Sequence, residues 1–144
     1  MLFESNSPDD TRDFAKGLAV SCKSGTVITL NGDLGVGKTV FTQGFAEGLG
    51  ICDYVCSPTF TILQIYEDGR MPLYHFDVYR IADESEMEEI GYEDYFYSDG
   101  VSIIEWAENI RDLIPEDAVH ITISKDLGKG LDYRRIEVAG GDFT

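Results

Sequence analysis

Between Thr26 and Phe45 the sequence reads TVITLNGDLGVGKTVFTQGF. Thr26 to Leu30 is β-branched and apolar without alternating charge, the pattern of a strand covered on both faces. Glycines follow at 32, 35 and 37, then Lys38 and Thr39, so Gly32-Asp33-Leu34-Gly35-Val36-Gly37-Lys38-Thr39 matches GxxxxGK[ST] in full. Glycine tolerates the backbone angles and close approaches that let successive main-chain N–H groups face one anion. A helix expected from Lys38 to about Gly48, with Phe41, Phe45 and Leu49 turned inward, adds its positive end. Lys38 is placed to neutralise terminal phosphate charge, and the Thr39 hydroxyl to complete the octahedral shell of a magnesium ion. Chance alone would produce this motif in roughly one sequence in a hundred or two. A buried strand before it and an amphipathic helix after it are the context that makes it a nucleotide-binding signal.

The rest of the chain fits one domain spanning residues 1–144. Its 43% hydrophobic content is enough to bury a core. The balance of 27 acidic against 11 basic residues, a net charge of −16, disfavours autonomous nucleic-acid binding, so any bound anion must be gripped locally. Three cysteines, Cys22, Cys52 and Cys56, are expected as buried free thiols of a reducing, cytoplasmic environment, since neither their spacing nor His75 and His120 suits a zinc site. No stretch is apolar enough to span a bilayer.

Helices and strands alternate along the chain. Residues 7–22 read as a helix with Ser7 as N-cap, Pro8 at its first position and an apolar stripe of Phe14, Ala15, Leu18, Ala19 and Cys22. Thr59 to Tyr66 and Met71 to Tyr79 read as a hairpin reversing at Asp68-Gly69. Asp83 and Glu86 suit a capped short helix, 101–106 a buried strand, and AENIRDLI a helix stopped by Pro115. VHITISK and RRIEVAG are two late strands around a glycine-rich reversal. The fold class expected is α/β: a single three-layer domain of the P-loop NTPase type, its central sheet mixed parallel and antiparallel because hairpins interrupt the alternation.

Phosphoryl chemistry needs a carboxylate near the metal at a strand end beside the loop. Asp77 in LYHFDVYR and Glu105 in SIIEW both qualify, and position does not separate metal ligand from water-orienting group. In Ser57-Pro58-Thr59-Phe60, Thr59 offers a hydroxyl to a terminal phosphate or its metal, as switch segments do. Arg80 is placed to stabilise developing charge or to pair with an acid.

The glycine loop, the SPTF segment, His75-Phe76-Asp77-Val78-Tyr79-Arg80 and Ile104-Glu105-Trp106, in that order in so short a chain, resemble the TsaE (YjeE) family of bacterial tRNA threonylcarbamoyladenosine biosynthesis ATPases. The resemblance implies a compact domain that binds ATP with Mg2+ and hydrolyses it slowly alone. It implies work with TsaB and TsaD in placing threonylcarbamoyl on the adenosine next to the anticodon of ANN-decoding tRNAs, with tRNA met only through that complex. On this resemblance Thr39 and Glu105 are the magnesium ligands and Gly35, Val36, Gly37, Lys38, Thr39 and Val40 the phosphate cradle. Lys38, Thr59, Asp77 and Glu105 form the catalytic set, while Thr11 and Gly130, the latter in the GKGLDYRR turn, lie near the base. Val40 departs from the family, which often has a second threonine there; its N–H remains able to bind phosphate. The acidity suits docking on a basic cleft of TsaD in competition with tRNA. Two rivals remain: a small-molecule phosphotransferase, which the scattered arginines and missing lid disfavour, and a nucleotide-gated binding module without required hydrolysis.

Overall fold

The computed structural model describes residues 1–33 and 35–141. Among the described residues seven strands form one sheet in the order β1-β7-β6-β2-β5-β4-β3. These are β1 (Leu2–Ser5), β2 (Val27–Asn31), β3 (Leu63–Tyr66), β4 (Leu73–Asp77), β5 (Val101–Glu105), β6 (Val119–Lys125) and β7 (Arg134–Ala139). The inner four, β6, β2, β5 and β4, run parallel; β3, β7 and β1 are added antiparallel at the two edges. The sheet is therefore mixed, as expected. Expected strand 26–30 corresponds to β2, and its unbroken apolar run is buried from Val27 to Leu30.

Side-chain alternation divides the core in two. Ile28, Leu30, Leu73, Val101, Ile103 and Ile121 face helices α1 (Pro8–Ser21) and α2 (Lys38–Gly48). Tyr74, Phe76 and Ile104 face the opposite layer of α3 (Ser85–Ile90), α4 (Glu93–Phe96) and a 3₁₀ segment, Ala107–Leu113. α1 begins as its sequence demands, with the Ser7 hydroxyl accepting from Asp10 N at 3.1 Å. Phe41, Phe45 and Leu49 of the α2 stripe are fully buried. α1 and α2 cross closely because Gly44 has no side chain: a Cβ there would lie 2.3 Å from the Arg12 carbonyl oxygen.

Several expectations are corrected. The first hairpin strand starts at Leu63, not Thr59, because Thr61 N and Ile62 N both bond back to the Pro58 carbonyl and Ile62 takes a left-handed φ of 68°. Its partner is shorter too, β4 covering Leu73–Asp77. The helix expected over 107–114 is 3₁₀ and broken at Ile110 (φ −130°, ψ 36°). Edge strand β1 was not anticipated; it holds Phe3 against Phe14 of α1 with ring centroids 4.3 Å apart. Cys22 is buried, but Cys52 and Cys56 are exposed because they sit in the irregular chain between α2 and β3, and all three are free thiols. Among the described residues no helix is long and apolar enough to cross a membrane.

Candidate active site

The site forms where β2, β4 and β5 end together. In the parallel register Asp77 is the Cα partner of Glu105, and both belong to the alternation set that faces α2. Chain parity alone thus brings two carboxylates to the edge of the sheet on the side where the glycine loop enters its helix. Gly37 precedes α2 with φ 108° and ψ 22°, and Gly35 has φ 78°, left-handed conformations that a side chain rarely adopts. Among the described residues no heavy atom beyond the adjoining chain lies within 4 Å of where a Cβ of either residue would stand, so neither glycine is crowded.

A cleft of about 720 Å³ opens there. Gly35, Gly37, Lys38, Thr39, Val40, Ser57, Thr59, Asp77 and Glu105 line it, joined by Tyr79 and Trp106. The loop residues, switch hydroxyl and two acids picked from sequence are therefore brought together. Val36 is buried, and it lines a smaller cavity of about 190 Å³ with Thr11. Thr11 is turned to Ser5, hydroxyl to hydroxyl at 2.7 Å. Gly130 is exposed beyond the short 3₁₀ turn Leu127–Lys129 and lines neither cavity. Arg80 stacks its guanidinium 4.8 Å from the centroid of the exposed Phe60 ring, outside the cleft wall. Leu34 lies outside the described residues.

Charges within the cleft are tightly paired. Lys38 Nζ stands 3.5 Å from Glu105 Oε1 and 5.2 Å from the centre of the Trp106 ring. His75, two residues before Asp77 and fully buried, donates from Nε2 to Glu105 Oε2 at 2.7 Å. Burial pushes the Glu105 carboxyl up, but the His75 hydrogen bond and the charges of His75 and Lys38 outweigh it and hold the group below the ordinary glutamate range. Asp77 is anchored at both oxygens: Oδ2 accepts from Thr59 Oγ1 at 3.2 Å and Oδ1 from Tyr79 N at 3.0 Å. Since Thr59 gives its one proton to Asp77, the Ser57 hydroxyl 2.7 Å away donates to Thr59.

His75, Tyr79 and Trp106 stand in the motifs above but are not among the site residues that the sequence leads one to expect. Parity would have found the first, because residue 75 shares a face with residue 77 on one strand. Trp106 depends on a conformation that sequence does not announce: it leaves β5 with φ 63° and ψ 35°, swinging its ring to within 4.9 Å of Tyr79.

A parallel strand leading through a glycine loop to a helix, beside two strand-end carboxylates, defines an α/β domain of the P-loop type. A family model described as threonylcarbamoyl adenosine biosynthesis protein TsaE matches residues 5–135. The chain belongs to that TsaE family. It is 51% identical over 130 residues to the tRNA threonylcarbamoyladenosine biosynthesis protein TsaE of Bacillus subtilis (strain 168), spanning 90% of this chain and 79% of that protein. The protein of the same name from Treponema pallidum (strain Nichols) is 41% identical over 119 residues, 83% of this chain and 87% of its own. Among solved structures, Bacillus subtilis YdiB superposes with a TM-score of 0.83 at 42% identity, covering 98% of this chain and 86% of that one.

Proposed function

We propose that this chain binds ATP with Mg2+ in the cleft beside Lys38, hydrolyses it slowly, and through that cycle serves tRNA threonylcarbamoyladenosine formation together with TsaB and TsaD. One observation carries the reading: a protein of net charge −16 presents a single ammonium, Lys38 Nζ, over an uncrowded glycine-built helix start, between a carboxylate and an aromatic ring.

The residues present fit both groups. Phosphates need N–H donors and a cation without crowding, which Gly35, Gly37, Lys38, Thr39 and Val40 offer at the mouth of the helix. Among the described residues no group of three or more His, Cys, Asp or Glu could hold a metal unaided. A hard cation here would therefore take Thr39 and Glu105 as protein ligands and complete its shell with phosphate oxygens and water, as magnesium does. Bound magnesium would supply the charge that offsets the terminal phosphates. Lys38 would exchange part of its pairing with Glu105 for phosphate, leaving the carboxylate turned to the cation by His75. Asp77, held at both oxygens, would orient the attacking water and receive its proton, while Thr59 couples that carboxylate to the segment carrying Ser57.

The experiment is ATP turnover by the purified chain, alone and with TsaB and TsaD, paired with co-purification of the three proteins with and without ATP. Slow turnover alone, raised by the partners, supports the reading. Absence of association in either nucleotide state contradicts the partner assignment, and transfer of label from ATP to a small acceptor would favour a phosphotransferase.

A further inference from the structure

Arg134, the first residue of β7, reaches across to the glycine loop. Its Nε donates to the main-chain carbonyl of Val36 at 2.7 Å, while Nη1 donates to the carbonyls of Leu131 and Tyr133 at 2.9 and 2.7 Å. One planar guanidinium, 98 residues after Val36, thus ties the loop to the β6–β7 turn. The carbonyl it holds belongs to the peptide joining Val36 to Gly37, directly before α2.

That peptide has two faces of opposite chemistry. In a trans peptide the C=O and the following N–H point in opposite directions, and among the described residues no peptide is cis. Holding the Val36 oxygen toward β7 turns the Gly37 N–H away from β7. A peptide flipped the other way would offer an oxygen, which repels an anion. Glycine at 37 resists such a flip least, because it has no Cβ. Val36 secures its own end, with a side chain only 1% exposed. The carbonyl end needs a separate anchor, and a charge-assisted bond from an arginine already fixed by two turn carbonyls supplies one.

We propose that Arg134 is a positioning residue for anion binding: by holding the Val36 carbonyl it aims the Gly37 N–H into the cleft that Gly37 and Lys38 line. This rests on the phosphate-binding reading of that cleft. Arg134 also borders the smaller cavity beside Thr11, so a direct role toward a nucleoside is the competing account.

Two probes separate them: inorganic triphosphate, which has phosphates alone, and ADP. Affinities are measured by calorimetry for the parent, Arg134→Met, Arg134→Lys and the neighbouring control Arg135→Met, whose arginine is half-exposed and paired with Glu137. Met should weaken both probes by the same factor, about tenfold or more, while the Arg135 control stays within about twofold of the parent. If Arg134→Met melts early, Arg134→Lys carries the comparison. Triphosphate affinity unchanged in a folded variant, or a loss confined to ADP, overturns the proposal. Failure of both variants to fold overturns it as well, because Arg134 would then be supporting β7 instead of aiming one peptide. A parent that binds neither probe contradicts the phosphate reading itself, a distinct result.

Discussion

Asp77 and Glu105 are paired residues of one parallel ladder, yet they are wired to different parts of the protein. Glu105 is bonded to His75 and Lys38, groups of the sheet and the loop helix. Asp77 is bonded to Thr59 and the Tyr79 amide, groups of the connecting segments. Under the proposed function, one carboxylate serves the cation and the other the water.

Asp77→Asn should therefore lower single-turnover ATP hydrolysis about a hundredfold or more while changing nucleotide affinity far less. Thr59→Val removes one of the two anchors and should cost about tenfold in the same assay. Equal rates for Asp77→Asn and the parent would remove Asp77 from the chemistry.

Glu105 makes folding pH-dependent. Its carboxyl sits below the ordinary value of 4.5 in the folded chain, so its pairing stabilises the fold fully above that value and is lost as pH falls through the lower folded one. Comparing the parent with Glu105→Gln removes the contribution of groups remote from residue 105, which the two proteins share. In nucleotide-free thermal melts the parent midpoint should fall further than the variant's between about pH 5 and pH 3. Parallel curves would mean that His75 and Lys38 contribute nothing to holding the carboxylate.

Two glycine substitutions should have opposite signs. Gly44→Ala drives a Cβ into the Arg12 backbone, with 2.3 Å to its oxygen and 2.8 Å to its Cα, and should destabilise by about 2 kcal/mol despite better helix propensity. Gly17, exposed in α1, has nothing within 4 Å of its added Cβ, so Gly17→Ala should stabilise by about 1 kcal/mol. Urea unfolding of the two variants checks both.

What was legible in the sequence was whatever local chemistry decides. The Ser7 cap, the buried run of β2 and the stripe of α2 appear where their residue patterns put them. Glu86 Oε2 does accept from Asp83 N at 3.0 Å, but α3 starts later than that pair implies, with Glu84 at its N-cap and no side-chain cap. The gathering of Lys38, Thr39, Thr59, Asp77 and Glu105 around one cleft followed from motif positions. What escaped depends on distant partners or unusual backbone. β1 is a four-residue edge strand that exists because β7 is there to pair with it. The reversal at Trp106 and the 3₁₀ kink at Ile110 answer to packing against the sheet, not to propensity. Arg134 touches the loop only because β6 and β7 bring residue 134 beside residue 36.

Titration calorimetry of the folded chain with Mg-ATP, beside Lys38→Ala, tests the central claim most directly. Saturable binding by the parent, weakened at least about tenfold in the variant, is the predicted result. No heat of association in the parent, or equal affinity in the two proteins, would contradict it.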